Sequence, residues 1–351
     1  MSIVDRRGFA ASYLSVVVVM IAIGIISPHI SLRTLEYMGL LGVALLTLGF
    51  MTARSIASFI HAPLMEKYTS RMIGSIGLAL IVSTYMLYMV LPPITYPLIK
   101  LIEGFASGLF WPLMQSLVVR SVAPNWRSRW TSIYFILGSV AGYAGVIAGS
   151  LIITLIGKEY IMAVGFGIGL GYLPIYYLVA PSKKIASDKK KPGLLDSLSE
   201  TGRLGRIIPI ILLVGGVNGL SKDYLFSYAK LLTGFSESTL RMYWSMVGYL
   251  GMALSLLFSH IFEATRHSKI AVATGLLFLS TIILVPFIRE PITFFIIVSL
   301  TLVGTRILRP IIRAWASNIA SEPEKGIAVV NGFSNIAAGL VPLVIALFQT
   351  L

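Results

Sequence analysis

Cysteine is absent from this sequence of 351 residues, and charged residues make up only 12% of it. The first absence excludes disulfides and thiolate metal sites. The second excludes an ordinary soluble domain, in which about a quarter of the residues are charged, because so few charges do not coat a water-facing surface. The four histidines form no pair at ligand spacing, so we expect neither a metal nor any other cofactor.

Apolar residues make up 56% of the chain and fall in runs of about 20, the length that an α-helix needs to cross a bilayer. The alternation typical of membrane β-strands is absent. We therefore predict an all-α membrane protein. The runs predict eleven spans, at about residues 9–28, 38–60, 72–91, 97–119, 131–156, 160–180, 206–229, 240–261, 270–288, 292–314 and 327–349.

The net charge of +14 is distributed unevenly among the predicted loops. If the N-terminus is cytoplasmic, most of the 28 lysines and arginines fall on the inner side, as the positive-inside rule requires. We therefore predict a cytoplasmic N-terminus and, after eleven spans, an external C-terminus. The basic charge is interpreted as contact with anionic lipid headgroups of the bilayer, and no nucleic-acid partner is expected.

A polar, lysine-rich stretch at 181–206 divides the chain into two similar halves. We interpret it as a cytoplasmic basic linker between an N-terminal six-helix bundle, residues 1–180, and a C-terminal five-helix bundle, residues 207–351. Docking of a regulatory partner is the alternative role. Pro112 and Pro310 lie 198 residues apart at equivalent places, and this spacing indicates an internal repeat of the kind found in transporters.

The loop after span 2, residues 62–71, resembles the G-x-L-a-D-R-x-G-r-k signature of the major facilitator superfamily. Leu64 matches the signature, and Arg71 keeps its final base. Glu66 and Lys67 stand in for its Asp-Arg pair. The resemblance implies that these charges form ion pairs that open and close during transport. Charges that merely cap helices are the alternative.

Predicted span 4 carries a second resemblance. Residues 100–112 are similar to the family segment R-x-x-q-G-x-g, with Lys100 in place of the arginine and Glu103 in place of the glutamine. The resemblance covers nearly the whole chain. It implies two helical bundles related by a pseudo-repeat, a cavity between them and alternating access. Because only eleven spans are found, we expect six plus five spans and not the family's six plus six.

Charged side chains within the spans are functional candidates, since each costs at least about 2.5–3.5 kcal/mol at the bilayer centre. Arg306, Arg309 and Arg313 share one face of span 10. We expect this face to line the cavity and to bind a carboxylate or phosphate. In the alternative, only Arg306 is buried, paired with an acid such as Asp223. The candidates, five basic and two acidic, are Arg54, Lys100, Lys222, Arg306, Arg309, Glu103 and Asp223.

On span 4, Lys100 and Glu103 share a helical face with Trp111 and Gln115. Lys100 and Glu103 are spaced to pair at i, i+3. Glu103 is our first candidate for a proton-coupling site, with Lys100 as its gating partner. A purely structural pair near the outer end of the span is the alternative. Trp111 and Gln115 are candidates for contact with the substrate.

Spans 7 and 11 supply the other candidates. Asn218, Lys222 and Asp223 follow a group of glycines, a pattern that favours a bent or broken helix. Asn218 and Lys222 are substrate-binding candidates, and Asp223 is the second protonation candidate. An ion pair between Lys222 and Asp223 is the alternative. Asn331 on span 11 binds substrate or joins helices by hydrogen bonding.

The combined pattern predicts a secondary active transporter of the plasma membrane. Because basic residues outnumber acids within the spans, we expect a small anionic or zwitterionic substrate, with protons as the candidate coupling ion. No histidine lies in mid-span to act as a base, and the P-loop spacing is missing, so an enzyme is not expected. A non-transporting membrane receptor or scaffold of the same fold is the alternative.

Overall fold

The computed structural model describes residues 3–123, 126–182, 200–265, 268–321 and 323–350. In these ranges the chain forms α-helices joined by short turns, which confirms the predicted fold class. The helices are α1 Arg6–Lys67, α2 Ser70–Val90, α3 Tyr96–Arg120, α4 Arg127–Leu155, α5 Ile161–Val179, α6 Thr201–Leu204, α7 Ile208–Gly219, α8 Leu225–Thr233, α9 Glu237–Thr265, α10 Ser268–Ser280, α11 Pro291–Ile319 and α12 Pro323–Thr350.

Eight helical stretches in the described part of the chain are long and apolar enough to cross a membrane. They are Arg6–Ala57, Ser70–Val90, Pro93–Arg120, Arg129–Leu155, Lys158–Val179, Lys269–Phe287, Pro291–Ile319 and Val329–Gln349. The predicted span at 206–229 is divided between α7 and α8 by a π-helical turn, Leu220–Tyr224. The division into six plus five spans stays a prediction.

Helix α1 contains two predicted spans. Its 62 residues would extend about 93 Å as one straight helix, three times the thickness of the hydrocarbon core. Gly39 interrupts it with φ +63° and ψ −165°, a backbone conformation that glycine adopts without steric cost. At the N-terminal end, the Asp5 carboxylate accepts hydrogen bonds from the amides of Arg7 and Gly8.

The chain divides into two compact units. Unit 1 comprises the described residues of Met1–Tyr37 and Thr52–Lys191. In it, α2 packs against α3 and α5. The contact with α5 places Tyr176 beside Gly74, and the Tyr176 hydroxyl donates to the Ser70 carbonyl at 3.2 Å. A side chain at position 74 would overlap that ring, so the glycine permits the packing.

Unit 2 comprises the described residues of Met38–Met51 and Pro192–Leu351. Helix α7 packs tightly on α12, because Gly215 and Gly219 let its backbone approach that of α12. The segment Met38–Met51 of α1 packs in this unit, where Phe50 and Met51 contact Ala338. The main buried core of the unit comprises Leu204, Ile207, Ile211, Val214, Val217, Leu279, Leu308, Ile312, Ala316, Val329 and Val330.

Two of the sequence predictions fall partly outside the described residues. Most of the predicted linker does so, since residues 183–199 are not described. The side chain of the predicted gating residue Glu66 also lies outside them.

The glycines of predicted span 5 lie where helices approach closely. On α4, Gly138 faces Val16 and Gly145 meets the backbone of Ile21. A Cβ at Gly145 would lie 2.3 Å from the Ile21 carbonyl oxygen. Gly167 on α5 has nothing within 4 Å of an added Cβ. Small residues on α4 therefore permit its close contact with α1.

We expect Gly145→Ala to lower the free energy of unfolding by about 1–3 kcal/mol, because the new methyl group forces two backbones apart. Gly167→Ala is the matched control and should leave stability unchanged or slightly higher. The thermal unfolding midpoint of both purified variants in detergent measures the difference. Equal midpoints would show that the contact between α1 and α4 does not depend on the glycine.

Candidate functional site

The predicted pair on span 4 is an ion pair in unit 1. The Lys100 ammonium lies 2.8 Å from Glu103 Oε2, and the two residues are 1% and 5% exposed. The Tyr88 hydroxyl donates to the same carboxylate oxygen at 2.9 Å. The Tyr96 hydroxyl donates in turn to the Tyr88 carbonyl at 2.9 Å. The Lys100 ammonium and the Tyr88 hydroxyl thus hold the carboxylate between α2 and α3.

A small crevice adjoins this pair. Its walls come from α1, α2 and α3, and Tyr85 of α2 lines it together with Lys100 and Glu103. Tyr85 is 2% exposed, and its hydroxyl has no hydrogen-bond partner among the described residues. The lining residues are Ile23, Ile26, Ser27, Ile30, Tyr85, Lys100 and Glu103. The crevice therefore joins an ion pair to a buried hydroxyl.

The other residues of the predicted span 4 face lie farther along α3. Trp111 is buried and packs edge-on against Phe110, with ring centroids 5.2 Å apart. Gln115 is half-buried. Neither residue lines the crevice. Their contact with a substrate stays a prediction.

A second polar cluster lies at the π-helical turn of unit 2. The Lys222 ammonium lies 2.9 Å from the centroid of the Phe50 ring, a cation–π contact. Asp223 is 1% exposed and accepts a hydrogen bond from the Thr47 hydroxyl at 3.3 Å. The Tyr224 hydroxyl donates to Gln349 at 2.6 Å. Two adjacent residues of the turn thus hold two residues of the Met38–Met51 segment.

The predicted arginine face of span 10 lies on α11. Arg306 is half-buried, and its Nη1 donates to the Gly248 carbonyl at 3.2 Å. Gly251 lies beside it, and a Cβ there would come within 3.2 Å of Arg306 Nη1. Arg309 is exposed. Arg306 is thus half-buried, whereas Arg309 and Arg313 on the same helix are exposed.

Two predicted asparagines lie near these groups. Asn331 accepts a hydrogen bond from Arg313, which is exposed, at 3.4 Å. The half-buried Asn218 accepts one from the Ser221 hydroxyl through its carbonyl at 2.9 Å. The structure thus brings Asn331 to the arginine helix and leaves Asn218 at the π-helical turn.

Sequence reasoning missed a buried arginine. Arg241 lies at the edge of the predicted span 240–261 and was not among the charged candidates, but it is on α9 and is 0% exposed. Its Nε and Nη2 donate to Glu237 Oε1 at 3.0 and 2.7 Å. The i, i+4 spacing of acid and base was the available signal. Helix α9 begins at Glu237 and therefore includes both residues.

The comparison with protein families decides the identity. The model described as Major Facilitator Superfamily matches residues 8–344. The chain belongs to the Major Facilitator Superfamily. It is therefore a multi-pass membrane protein and a secondary transporter of a small molecule, and it is not an enzyme.

Individual proteins agree with this membership. Multidrug resistance protein MdtH of Aeromonas hydrophila subsp. hydrophila is 23% identical over 325 residues, covering 90% of this chain and 80% of the relative. A bacterial homologue of the human lysosomal transporter Spinster, crystallised inward-facing and unoccupied, is 13% identical with a TM-score of 0.76. That match covers 98% of this chain and 82% of that one.

Another structural relative is the nucleoside transporter NupG, which is 13% identical with a TM-score of 0.69. The match covers 99% of this chain and 97% of NupG. At such identities, the two solved structures show a shared fold alone.

The two basic residues of the superfamily loop signature, Arg71 and Lys67, lie in different environments. The Arg71 guanidinium donates through Nε and Nη2 to the Ala180 carbonyl at 3.1 and 3.0 Å and lies over the Tyr177 ring. It therefore binds the carbonyl end of α5, where cations are favoured. Lys67 is exposed. State-dependent ion pairing of this loop stays a prediction.

Removing the partner of Arg241 tests the buried pair in this superfamily member. Glu237→Gln should lower the free energy of unfolding by about 3–5 kcal/mol, because it leaves a buried guanidinium without its counter-charge. Glu159→Gln, at an exposed acid, is the matched control and should change little. The double variant Glu237→Gln/Arg241→Met should regain most of the loss. Thermal unfolding of the purified proteins measures all three, and equal effects of the two single variants would contradict the assignment.

Proposed function

We propose that this transporter moves a small anionic or zwitterionic solute by alternating access. The excess of positive charge within its helices carries the proposal. Five basic residues of the predicted spans stand against two acids, Glu103 and Asp223. The Arg241 pair with Glu237 is self-neutralising and leaves the excess unchanged.

Such an excess favours an anionic ligand on energetic grounds. Each cation in a low-dielectric setting costs several kcal/mol unless a negative or polar group compensates it. A solute that brings a carboxylate or phosphate supplies that compensation when it binds. A cationic solute would add to the excess.

Arg306 is the residue that we propose as the anion contact in unit 2. The Gly248 carbonyl fixes one end of its guanidinium, and Gly251 provides the space beside it. A guanidinium held in one orientation recognises a carboxylate or phosphate with less loss of side-chain entropy than a mobile one. We propose that Arg309, on the same helix face, extends this contact.

The name of the MdtH relative suggests a different substrate class, drug-like compounds. Counterflow separates the classes because it requires no knowledge of the driving gradient. Proteoliposomes loaded with pooled unlabelled anions, cations or sugars are offered the matching radiolabelled pool. We expect accumulation with anions or zwitterions. Accumulation of cations alone would overturn the proposed substrate class, and binding without any counterflow would favour the receptor alternative.

Replacement of Arg306 tests the contact itself. Arg306→Ala should lower anion counterflow at least tenfold, because a charge-assisted hydrogen bond contributes about 1.5–3 kcal/mol. Arg206→Ala, at an exposed arginine of the same unit, is the matched control and should leave counterflow unchanged. Unchanged counterflow in Arg306→Ala, with normal protein yield, would exclude Arg306 from the binding site.

A further inference from the structure

One end of unit 1 presents a dense group of exposed arginines. The segment before α1 lies against the turn after α3, because the amides of Val4 and Asp5 donate to the Ser121 carbonyl at 2.8 and 3.3 Å. Phe9 of α1 packs edge-on against Trp130 of α4, with ring centroids 5.1 Å apart. The starts of α1 and α4 and the end of α3 therefore lie together. The exposed arginines on these three helix ends, which we call the arginine patch, are Arg6, Arg7, Arg120, Arg127 and Arg129.

The arginine patch carries a positive charge that the protein itself does not balance. The three chain segments that form it contain five arginines and one acid, Asp5. The Asp5 carboxylate caps α1, where it accepts hydrogen bonds from the amides of Arg7 and Gly8. Because like charges on neighbouring helix ends repel one another, an anion bound among them would lower the free energy. Four of the arginines form no ion pair within the described part of the chain, namely Arg6, Arg7, Arg127 and Arg129.

Aromatic rings adjoin the arginine patch. The Arg129 guanidinium lies 5.3 Å from the centroid of the Trp126 ring, and both Trp126 and Trp130 are half-buried. The Tyr13 hydroxyl donates to the Trp130 carbonyl at 2.6 Å. Tryptophan and tyrosine favour the headgroup region of a bilayer, where one side of the ring is apolar and the other is wet. Since α1 and α4 contain membrane-spanning stretches that begin here, the patch lies at the depth of the headgroups.

The corresponding positions of unit 2 carry other residue types. In unit 2 the turn after α11 is held by Glu200, whose carboxylate accepts a hydrogen bond from the Ser321 amide at 3.1 Å. One half of the chain thus folds without a group of arginines at this place, which favours a ligand over helix packing as their role. At the repeat offset of 198 residues, the counterparts of Arg6, Arg7, Arg127 and Arg129 are Leu204, Gly205, Lys325 and Ile327.

We propose that the arginine patch binds the phosphate group of an anionic phospholipid, with the Trp126 and Trp130 rings against the glycerol region of the same lipid. Guanidinium groups suit this role because their planar donors match phosphate oxygens in pairs. The bound phosphate holds the starts of α1 and α4 together. This inference is independent of the proposed substrate, and it assigns lipid contact to one site rather than to the basic surface as a whole. The contacts to the phosphate come from Arg6, Arg7, Arg127 and Arg129.

Lipid binding is measured by native mass spectrometry of the purified full-length protein in a neutral detergent, titrated with short-chain phosphatidylglycerol. Arg127→Gln/Arg129→Gln should weaken binding of the first lipid about tenfold, because two charged contacts are lost. Arg6→Gln/Arg7→Gln should weaken it to a similar extent from the other helix. The matched control is Arg206→Gln/Lys269→Gln, which removes two exposed basic residues of unit 2 and should bind as the wild type does.

Two further ligands separate the lipid from other sources of phosphate. Short-chain phosphatidylcholine has a phosphate but no net charge, and it should bind more weakly than phosphatidylglycerol. Inorganic phosphate at the same concentration should not compete with the lipid, because it has no glycerol or acyl chain to contact the rings. Phosphatidylglycerol should also raise the thermal unfolding midpoint of the wild type and of the unit 2 control, and should raise it less in both arginine variants.

Each contrary outcome has a definite meaning. Equal weakening in the arginine variants and in the unit 2 control would show a general attraction to basic surface and would overturn the site. Competition by inorganic phosphate would assign the patch to a soluble anion and overturn the lipid as its ligand. Wild-type affinity in both arginine variants would overturn the proposal as well. If Arg127→Gln/Arg129→Gln does not fold, Arg6→Gln/Arg7→Gln decides the result.

Discussion

An ionised side chain within a bundle of apolar helices needs a compensating group within a few ångströms, because neither lipid nor a packed core hydrates it. The helices meet this requirement in different ways. Lys100 has a carboxylate one turn away, supported by a tyrosine. Arg241 pairs with Glu237, which precedes it by one turn of the same helix. Arg306 uses a backbone carbonyl of a neighbouring helix. These local pairings determine the functional chemistry, because each one limits where a further charged group can bind.

The sequence predicts the helices well because the apolar runs that produce them are local features of the chain. A run of apolar residues as long as the bilayer is thick needs no tertiary information, and α2, α3, α4 and α11 lie where such runs are found. The break at Gly39 also agrees with the predicted start of span 2, since only glycine adopts that backbone conformation readily. The packing of Met38–Met51 in unit 2 was not predictable, because it depends on contacts with distant helices.

The candidate site was predicted only in part, because a sequence pattern shows contacts along one helix but not contacts between helices. The Lys100 pair with Glu103 follows from spacing along one helix. Tyr85 and Tyr88 were missed because they belong to α2, and no pattern within α2 shows that they face α3. Arg241 was missed for a different reason. It lies at the edge of the predicted span 240–261, where helix ends are uncertain by several residues, and its burial depends on contacts that the sequence does not show.

The π-helical turn at Leu220–Tyr224 determines in which direction the faces of the following helix, α8, point. A π-helical turn holds one residue more than an α-helical turn, and an α-helix rotates about 100° per residue. The faces of α8 are therefore displaced by about that angle from those of α7. Gly215 and Gly219 of α7 contact α12, whereas Phe226 of α8 packs against Trp244 of α9. The additional residue in the turn thus lets the two helices of one predicted span, α7 and α8, pack against different helices, α12 and α9.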